Sequence, residues 1–146
     1  MSRTLIPVLL LLATLFAQEP PGAELQPAEP AGKPVQTASG LKYFDLKVGA
    51  GKKAIHGFTV RVDYTGWIRK DHKYVAFDTT RNKEPFQFDL GTRKVIKGWD
   101  EGIYGMRVGG KRQLIVPPDL GYGNRKVGLI PPGSTLIFEV ELLEVR

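Results

Sequence analysis

Two stretches of this chain alternate apolar and polar residues with a period of two, and this pattern limits the possible folds more than any other feature. The first stretch places apolar side chains at Phe58, Val60, Val62 and Tyr64. The second repeats the pattern near the end of the chain at Leu136, Phe138, Val140 and Leu142. Because successive side chains of a β-strand point to opposite faces, each stretch predicts a strand with one face in a core.

Further strands and a single helix complete the predicted fold. Shorter strands are predicted over 41–48, 86–90 and 111–116, with Val108-Gly109-Gly110 as the turn before the last of them. One apolar stripe has helical spacing, at Ile96, Trp99, Ile103 and Met106. Gly105 is suited to end this helix. The pattern predicts an α+β fold in which a curved antiparallel β-sheet of five to six strands wraps around one short α-helix.

The first 17 residues have the pattern of a signal peptide. Arg3 is followed by an apolar run of twelve residues, Leu5–Phe16. That run is too short for a membrane-spanning helix, which needs about 20 residues. We therefore expect cleavage after Ala17 and a periplasmic or secreted protein, with an uncleaved membrane anchor as the alternative. The absence of cysteine means that folding after export needs no oxidation.

Residues 18–36 are predicted to form a proline-rich, disordered linker, and 37–146 the folded domain. Five prolines fall within residues 18–36, and Leu25 and Val35 are the only large aliphatic residues there. So little apolar surface cannot offset the entropy that ordering would cost.

The composition disfavours several classes of function. With no cysteine, disulfides, thiolate nucleophiles and Cys-based zinc sites are excluded, and the two histidines, His56 and His72, lack metal-ligand spacing. No Ser/His pair or phosphate-binding glycine loop is present. The 21 basic residues are interleaved with 15 acidic ones and never exceed two in a row, so we expect no nucleic-acid partner.

Aromatic residues occur in turns and at strand ends, which leaves two interpretations. Each ring could simply fill the core, or the rings together could line a shallow apolar pocket with a few polar groups. Tyr122 favours the pocket because it lies in a glycine-flanked loop. The aromatic set is Tyr64, Phe77, Phe86, Phe88, Trp99, Tyr122 and Phe138.

The ordered motifs in which these residues lie resemble the FKBP-type peptidyl-prolyl cis-trans isomerases, in an exported bacterial form. The similarity covers nearly all of 37–146. The motifs follow one another as Val62-Asp63-Tyr64-Thr65-Gly66, Phe77-Asp78, Pro85-Phe86-Gln87-Phe88, Val95-Ile96-Lys97-Gly98-Trp99, Pro118-Asp119-Leu120-Gly121-Tyr122-Gly123, Ile130-Pro131-Pro132 and the ending from Leu136 to Leu143.

The resemblance implies a pocket between helix and sheet, with the Trp99 indole as its floor. It also implies that the Ile96 N–H and the Tyr122 hydroxyl donate hydrogen bonds to carbonyl groups of a bound chain. Residues matching the catalytic positions of the family are Tyr64, Phe77, Asp78, Trp99, Tyr122 and Phe138. Residues matching its substrate-binding positions are Phe86, Val95, Ile96, Leu129 and Ile130.

The implied activity is rotation of X-Pro bonds in exported proteins during folding, without cofactor or metal. The implied partners are proline-containing polypeptides and, as inhibitor, a macrolide; we expect a monomer without stable membrane insertion. A binding module that docks proline segments without turnover is the competing class. Compared with the minimal family domain, the segment from 64 to 77 is longer and the loop from 122 to 131 is shorter.

Overall fold

The computed structural model describes residues 25–146, which form seven β-strands, one α-helix and one turn of 3₁₀ helix. The strands are β1 (Val35–Gln36), β2 (Lys42–Lys47), β3 (Thr59–Lys70), β4 (Lys73–Thr79), β5 (Phe86–Asp89), β6 (Lys111–Val116) and β7 (Leu136–Val145). The α-helix is α1 (Lys97–Ile103), and the 3₁₀ turn spans Pro118–Leu120.

All seven strands belong to one antiparallel sheet. The strand order is β1-β2-β6-β7-β3-β4, and β5 pairs with the first half of β3. The two period-two stretches become neighbours, since β3 pairs with β7 along most of its length. Their apolar faces share one core, in which Val60, Val62 and Val140 are fully buried. The α+β fold with a curved sheet and one short helix is confirmed.

Helix α1 packs closely on the sheet because two of its residues have no side chain. A Cβ atom at Gly98 would lie 2.7 Å from Val116 Cγ1, and one at Gly102 would lie 2.7 Å from Leu114 Cδ2. Of the predicted apolar stripe, the helix contains only Trp99 and Ile103; Ile96 is its N-cap and Met106 lies beyond its end. Gly105 follows with φ of +88°, the left-handed conformation that ends many helices.

A buried arginine also connects α1 to the sheet. Arg112 on β6 donates from Nη1 to the Gly102 carbonyl at 2.9 Å and from Nε to Asp45 Oδ1 at 2.8 Å. Its guanidinium lies 4.2 Å from the Tyr43 ring centroid. These contacts satisfy a carbonyl group near the end of α1 and a charge that would otherwise be costly to bury.

Strands β1 and β4 are absent from the sequence prediction, and together they bring the sheet to seven strands rather than five or six. The longer segment noted between 64 and 77 forms a hairpin from β3 into β4, with positive φ at Asp71 (50°) and His72 (64°). Two such residues match the type I′ turn of two-residue hairpins. No residue of β4 is fully buried, so its sequence lacks a clean apolar alternation.

Residues 25–36, here called the N-terminal strap, begin against the face of the sheet opposite α1 and end in β1, which pairs with β2 in the sheet. The buried Trp67 indole donates to the Leu25 carbonyl at 2.8 Å, and Gln113 Nε2 donates to the Ala28 carbonyl at 2.8 Å. The Ala28 N–H donates to Glu139 Oε2 at 2.7 Å. The predicted disordered linker thus does not describe 25–36, because polar side chains of the sheet hold this segment through its backbone. Residues 1–24, with the predicted signal peptide and the start of the linker, lie outside the described residues.

Within residues 25–146, no helix has the length and apolar character needed to cross a bilayer.

Candidate active site

A cavity of about 190 Å³ lies between α1 and the sheet. Strands β3, β4, β5 and β7 each contribute an aromatic ring, α1 contributes its indole, and the loops on either side contribute the rest. The cavity opens to solvent beside Phe86, whose side chain is 40% exposed. Its lining consists of Tyr64, Phe77, Asp78, Phe86, Lys94, Val95, Ile96, Trp99, Tyr122 and Phe138.

Trp99 is the centre of the aromatic cluster. The Tyr64 ring meets the indole edge-on at a centroid distance of 4.7 Å, and the Phe138 ring does so at 5.4 Å. Phe77 packs edge-on against Phe138 at 5.6 Å. Edge-to-face contacts of this kind fix the rings relative to one another. Although Trp99 is only 5% exposed, it lines the cavity, as expected of a pocket floor.

The absence of a side chain at Gly66 leaves room for two of these rings. A Cβ atom there would lie 2.7 Å from Phe77 Cζ and 2.8 Å from Phe138 Cε1. Both distances are far below ordinary contact, so any other residue would force the rings to move. Gly66 therefore helps to set the shape of the cavity, although it does not line it.

One polar pair lies at the cavity wall. The Tyr64 hydroxyl donates a short hydrogen bond to Asp78 Oδ2. Burial of the phenol, and after it this hydrogen bond, raise the pKa of Tyr64 above its ordinary value. The hydroxyl therefore remains protonated at neutral pH and is already committed to Asp78.

Two other donors at the cavity are uncommitted. Neither the Ile96 N–H nor the Tyr122 hydroxyl has a hydrogen-bond partner among the described residues. The Ile96 carbonyl, in contrast, accepts a hydrogen bond from the backbone N–H of Trp99 at 3.0 Å, which holds Ile96 at the start of α1. An apolar cavity with free donors at its edge can bind the carbonyl groups of an extended peptide.

The buried Trp99 Nε1–H has no acceptor within 25–146. In the same part of the chain, no group of three or more His, Cys, Asp or Glu side chains is arranged to hold a metal ion.

The structure brings together nearly all residues predicted for the site. Leu129 and Ile130 are the exceptions. Reciprocal backbone hydrogen bonds between Val127 and Ile130 close a tight turn, which leaves Leu129 67% exposed and buries Ile130 in the core. Lys94 lines the cavity and was not predicted, since a lysine beside an apolar pocket carries no pattern of its own. Its only sequence signal is its position next to Val95.

Comparisons with known proteins agree with this geometry. The family model for "FKBP-type peptidyl-prolyl cis-trans isomerase" matches residues 39–143. An FK506-binding protein of Neisseria meningitidis serogroup A is 50% identical over 103 residues, which cover 69% of this chain and 92% of the relative.

Two solved structures are similar in fold. FkpA from Escherichia coli matches with a TM-score of 0.70 and 39% identity, over 80% of this chain and 53% of that one. AtFKBP13 matches with a TM-score of 0.68 and 38% identity, over 76% of this chain and 97% of that one. Because the family model covers well over half of the sequence, this chain belongs to the FKBP-type peptidyl-prolyl cis-trans isomerases.

Proposed function

We propose that the cavity over Trp99 binds the ring of a substrate proline and that its rotating amide lies among the surrounding aromatic residues. The observation that carries this proposal is the convergence of six aromatic side chains from separate parts of the chain on one open cavity. In this scheme Tyr64, Phe77 and Phe138 hold the pyrrolidine ring above the Trp99 indole. Tyr122 supplies its hydroxyl at the edge.

The reaction breaks no covalent bond. Rotation about an X-Pro amide is opposed by a barrier of about 18–20 kcal/mol, because resonance keeps the amide planar. The planar form has separated charge on oxygen and nitrogen, and water stabilises that charge. Transfer into an apolar cavity removes this support from the planar form more than from the twisted form. An acceleration of about 10⁵-fold requires lowering the barrier by only about 7 kcal/mol.

The two free donors orient the chain. The Ile96 N–H and the Tyr122 hydroxyl bind carbonyl groups on either side of the rotating bond, so one part of the chain is fixed while the other turns. Asp78 acts differently, because its carboxylate accepts the Tyr64 hydroxyl and keeps that ring against Trp99. Asp78 is thus a positioning residue, and the reaction needs no proton transfer.

The substrates we propose are proline-containing polypeptides that are folding after export. The signal-peptide pattern of residues 1–17 supports a periplasmic or secreted location. Slow prolyl steps take tens of seconds or more without catalysis, so exported chains would benefit from an isomerase.

The relative from Neisseria meningitidis is an FK506-binding protein, which supports a macrolide as inhibitor of the same cavity. We propose a monomer, since one chain supplies the whole lining.

The test is an isomerisation assay on proline peptides with the protein lacking residues 1–17. We expect acceleration of cis-to-trans rotation, and inhibition by a macrolide that also changes Trp99 fluorescence. A protein that binds the macrolide without accelerating rotation would be a binding module instead. A protein that does neither would contradict the assignment of this cavity as the site.

The export proposal has its own test. Expression of the full chain in a bacterium is expected to yield a periplasmic or secreted product that begins after residue 17. A product that retains residues 1–17 in the membrane would support the anchor alternative.

A further inference from the structure

A second cavity, of about 720 Å³, adjoins the proline cavity. The two share four lining residues, Lys94, Val95, Ile96 and Tyr122. Among these are Ile96 and Tyr122, which carry the uncommitted backbone N–H and hydroxyl donors described above. A chain bound through Ile96 and Tyr122 therefore continues directly into the second cavity, whose volume is typical of ligand-binding clefts.

The second cavity is rich in unpaired positive charge. Arg93, Lys97 and Arg125 line it, and none of the three forms an ion pair with any residue from 25 to 146. All three side chains are exposed. Lys94 differs, because its Nζ lies 2.7 Å from Asp89 Oδ2. This ion pair and the hydrogen bond from Thr59 lower the pKa of Asp89.

The acids in this cavity do not cancel its charge. The Asp100 carboxylate accepts the backbone N–H groups of Gly91 at 2.8 Å and Arg93 at 3.1 Å. It is thus directed toward the loop that precedes α1. Asp119 is the only other acid in the lining. Three unpaired cations therefore face one uncommitted carboxylate, and the cavity has a positive potential that favours acidic ligands.

Asp100 also fixes where one of the cations lies. Arg93 adopts φ of +62°, a conformation that is unfavourable for a residue with a side chain. The hydrogen bond from its N–H to Asp100 supports that conformation. The Arg93 side chain consequently starts from a constrained backbone beside the cavity.

We infer that the second cavity binds the residues flanking the substrate proline and that Arg93, Lys97 and Arg125 select chains with Asp or Glu there. The inference rests on the proposed proline site, since it describes how the protein recognises the substrate residues on either side of the proline. An exposed ion pair contributes modestly, so we expect about a two- to fivefold gain in kcat/KM for each acidic side chain.

The experiment compares peptides that differ only in charge. Matched peptides carry Glu, Gln or Lys at the two positions before the proline or at the two positions after it. The expected order of kcat/KM at low salt is Glu, then Gln, then Lys, on at least one side of the proline. The spread is expected to shrink at about 0.5 M salt, where exposed charges are strongly screened.

Two double variants test whether the cations of the second cavity cause the preference for acidic peptides. In K97Q/R125Q the ratio of kcat/KM between Glu and Gln peptides is expected to fall toward one. The matched control K42Q/K47Q removes the same charge from β2, where both lysines are exposed and away from either cavity. It is expected to retain the wild-type ratio.

The outcomes separate this inference from the proposed function. Equal kcat/KM for Glu and Gln peptides on both sides of the proline, with clear catalysis of all of them, would overturn the charge selection alone. An equal fall of the ratio in both double variants would also overturn it, because net charge would then be the cause. No acceleration of any peptide would overturn the proposed proline site itself.

Discussion

The Tyr64 hydroxyl donates a hydrogen bond to the Asp78 carboxylate between the paired strands β3 and β4, and so connects a wall of the proline cavity to the edge hairpin. Burial and this bond raise the pKa of Tyr64 in the folded state. Below pH 10 the phenol is protonated in both folded and unfolded chains, and its contribution to stability is complete. As the pH rises above about 10, the unfolded chain ionises first, so stability is lost.

We therefore predict that Tyr64→Phe flattens the alkaline loss of stability. Urea unfolding between pH 9 and pH 11 measures the free energy of unfolding for wild type and variant. The wild type is expected to lose more stability over this range than Y64F, because only the wild type contains the phenol with the raised pKa. Equal losses would contradict the role of this phenol.

The aromatic floor and wall are predicted to matter more for activity than the carboxylate. Trp99→Ala and Phe138→Ala are expected to lower kcat/KM by about a hundredfold, because the proline ring loses its fixed position. Asp78→Ala is expected to cause a smaller loss, since it acts only through Tyr64. The measurement is the proline-peptide assay at substrate concentrations well below KM, with the rate divided by the concentration of folded protein.

Both alanine variants also remove core contacts worth about 3–5 kcal/mol. Trp99→Phe and Phe138→Leu are therefore made in parallel, and circular dichroism checks that each variant is folded. An Asp78→Ala loss larger than that of the folded ring variants would indicate a direct role for the carboxylate.

Gly66→Ala is predicted to impair catalysis although Gly66 itself does not line the cavity. The added methyl group must displace Phe77 or Phe138, so we expect about a tenfold loss in kcat/KM and about 1–3 kcal/mol of destabilisation. Gly51→Ala is the matched control, because its Cβ would lie 2.7 Å from Val108 Cβ, far from the cavity. G51A is expected to lose stability but to keep kcat/KM; a similar loss of activity in both would show that overpacking alone is responsible.

The N-terminal strap is predicted to stabilise the domain without contributing to the proline site. Three hydrogen bonds join it to Trp67, Gln113 and Glu139 on the face opposite α1. A chain that begins at residue 37 is expected to be less stable by about 2–4 kcal/mol than one that begins at residue 18, because these bonds and the pairing of β1 with β2 are lost. Thermal and urea unfolding measure the difference.

The same truncation is expected to leave kcat/KM for a neutral proline peptide close to that of the longer chain. Equal stability of the two chains would contradict the contacts of the strap. Lost activity in a folded truncated chain would mean that the strap also supports the cavity.

The sheet-and-helix architecture could be predicted from the sequence, because strands β3 and β7 and the turns of α1 each have one face in the core and so carry a periodic apolar pattern. The motifs likewise identified the aromatic residues that meet above Trp99. The other features depend on contacts between elements that are far apart in the chain. Strand β4 contains no fully buried residue, so its sequence has no clear apolar alternation. The strap is held through backbone carbonyl and N–H groups, which do not depend on the type of side chain.

The conformation of the loop after Tyr122 and the set of residues that line the second cavity also depend on tertiary structure. The turn that pairs Val127 with Ile130 directs Leu129 to solvent, although an apolar leucine side chain would suit the lining of a pocket. Arg93 and Arg125 are distant in sequence and line the same cavity only because the loop before α1 and the loop after the 3₁₀ turn fold close together. Local periodicity reports which face of an element is buried; which residues from separate elements share a cavity depends on how those elements pack.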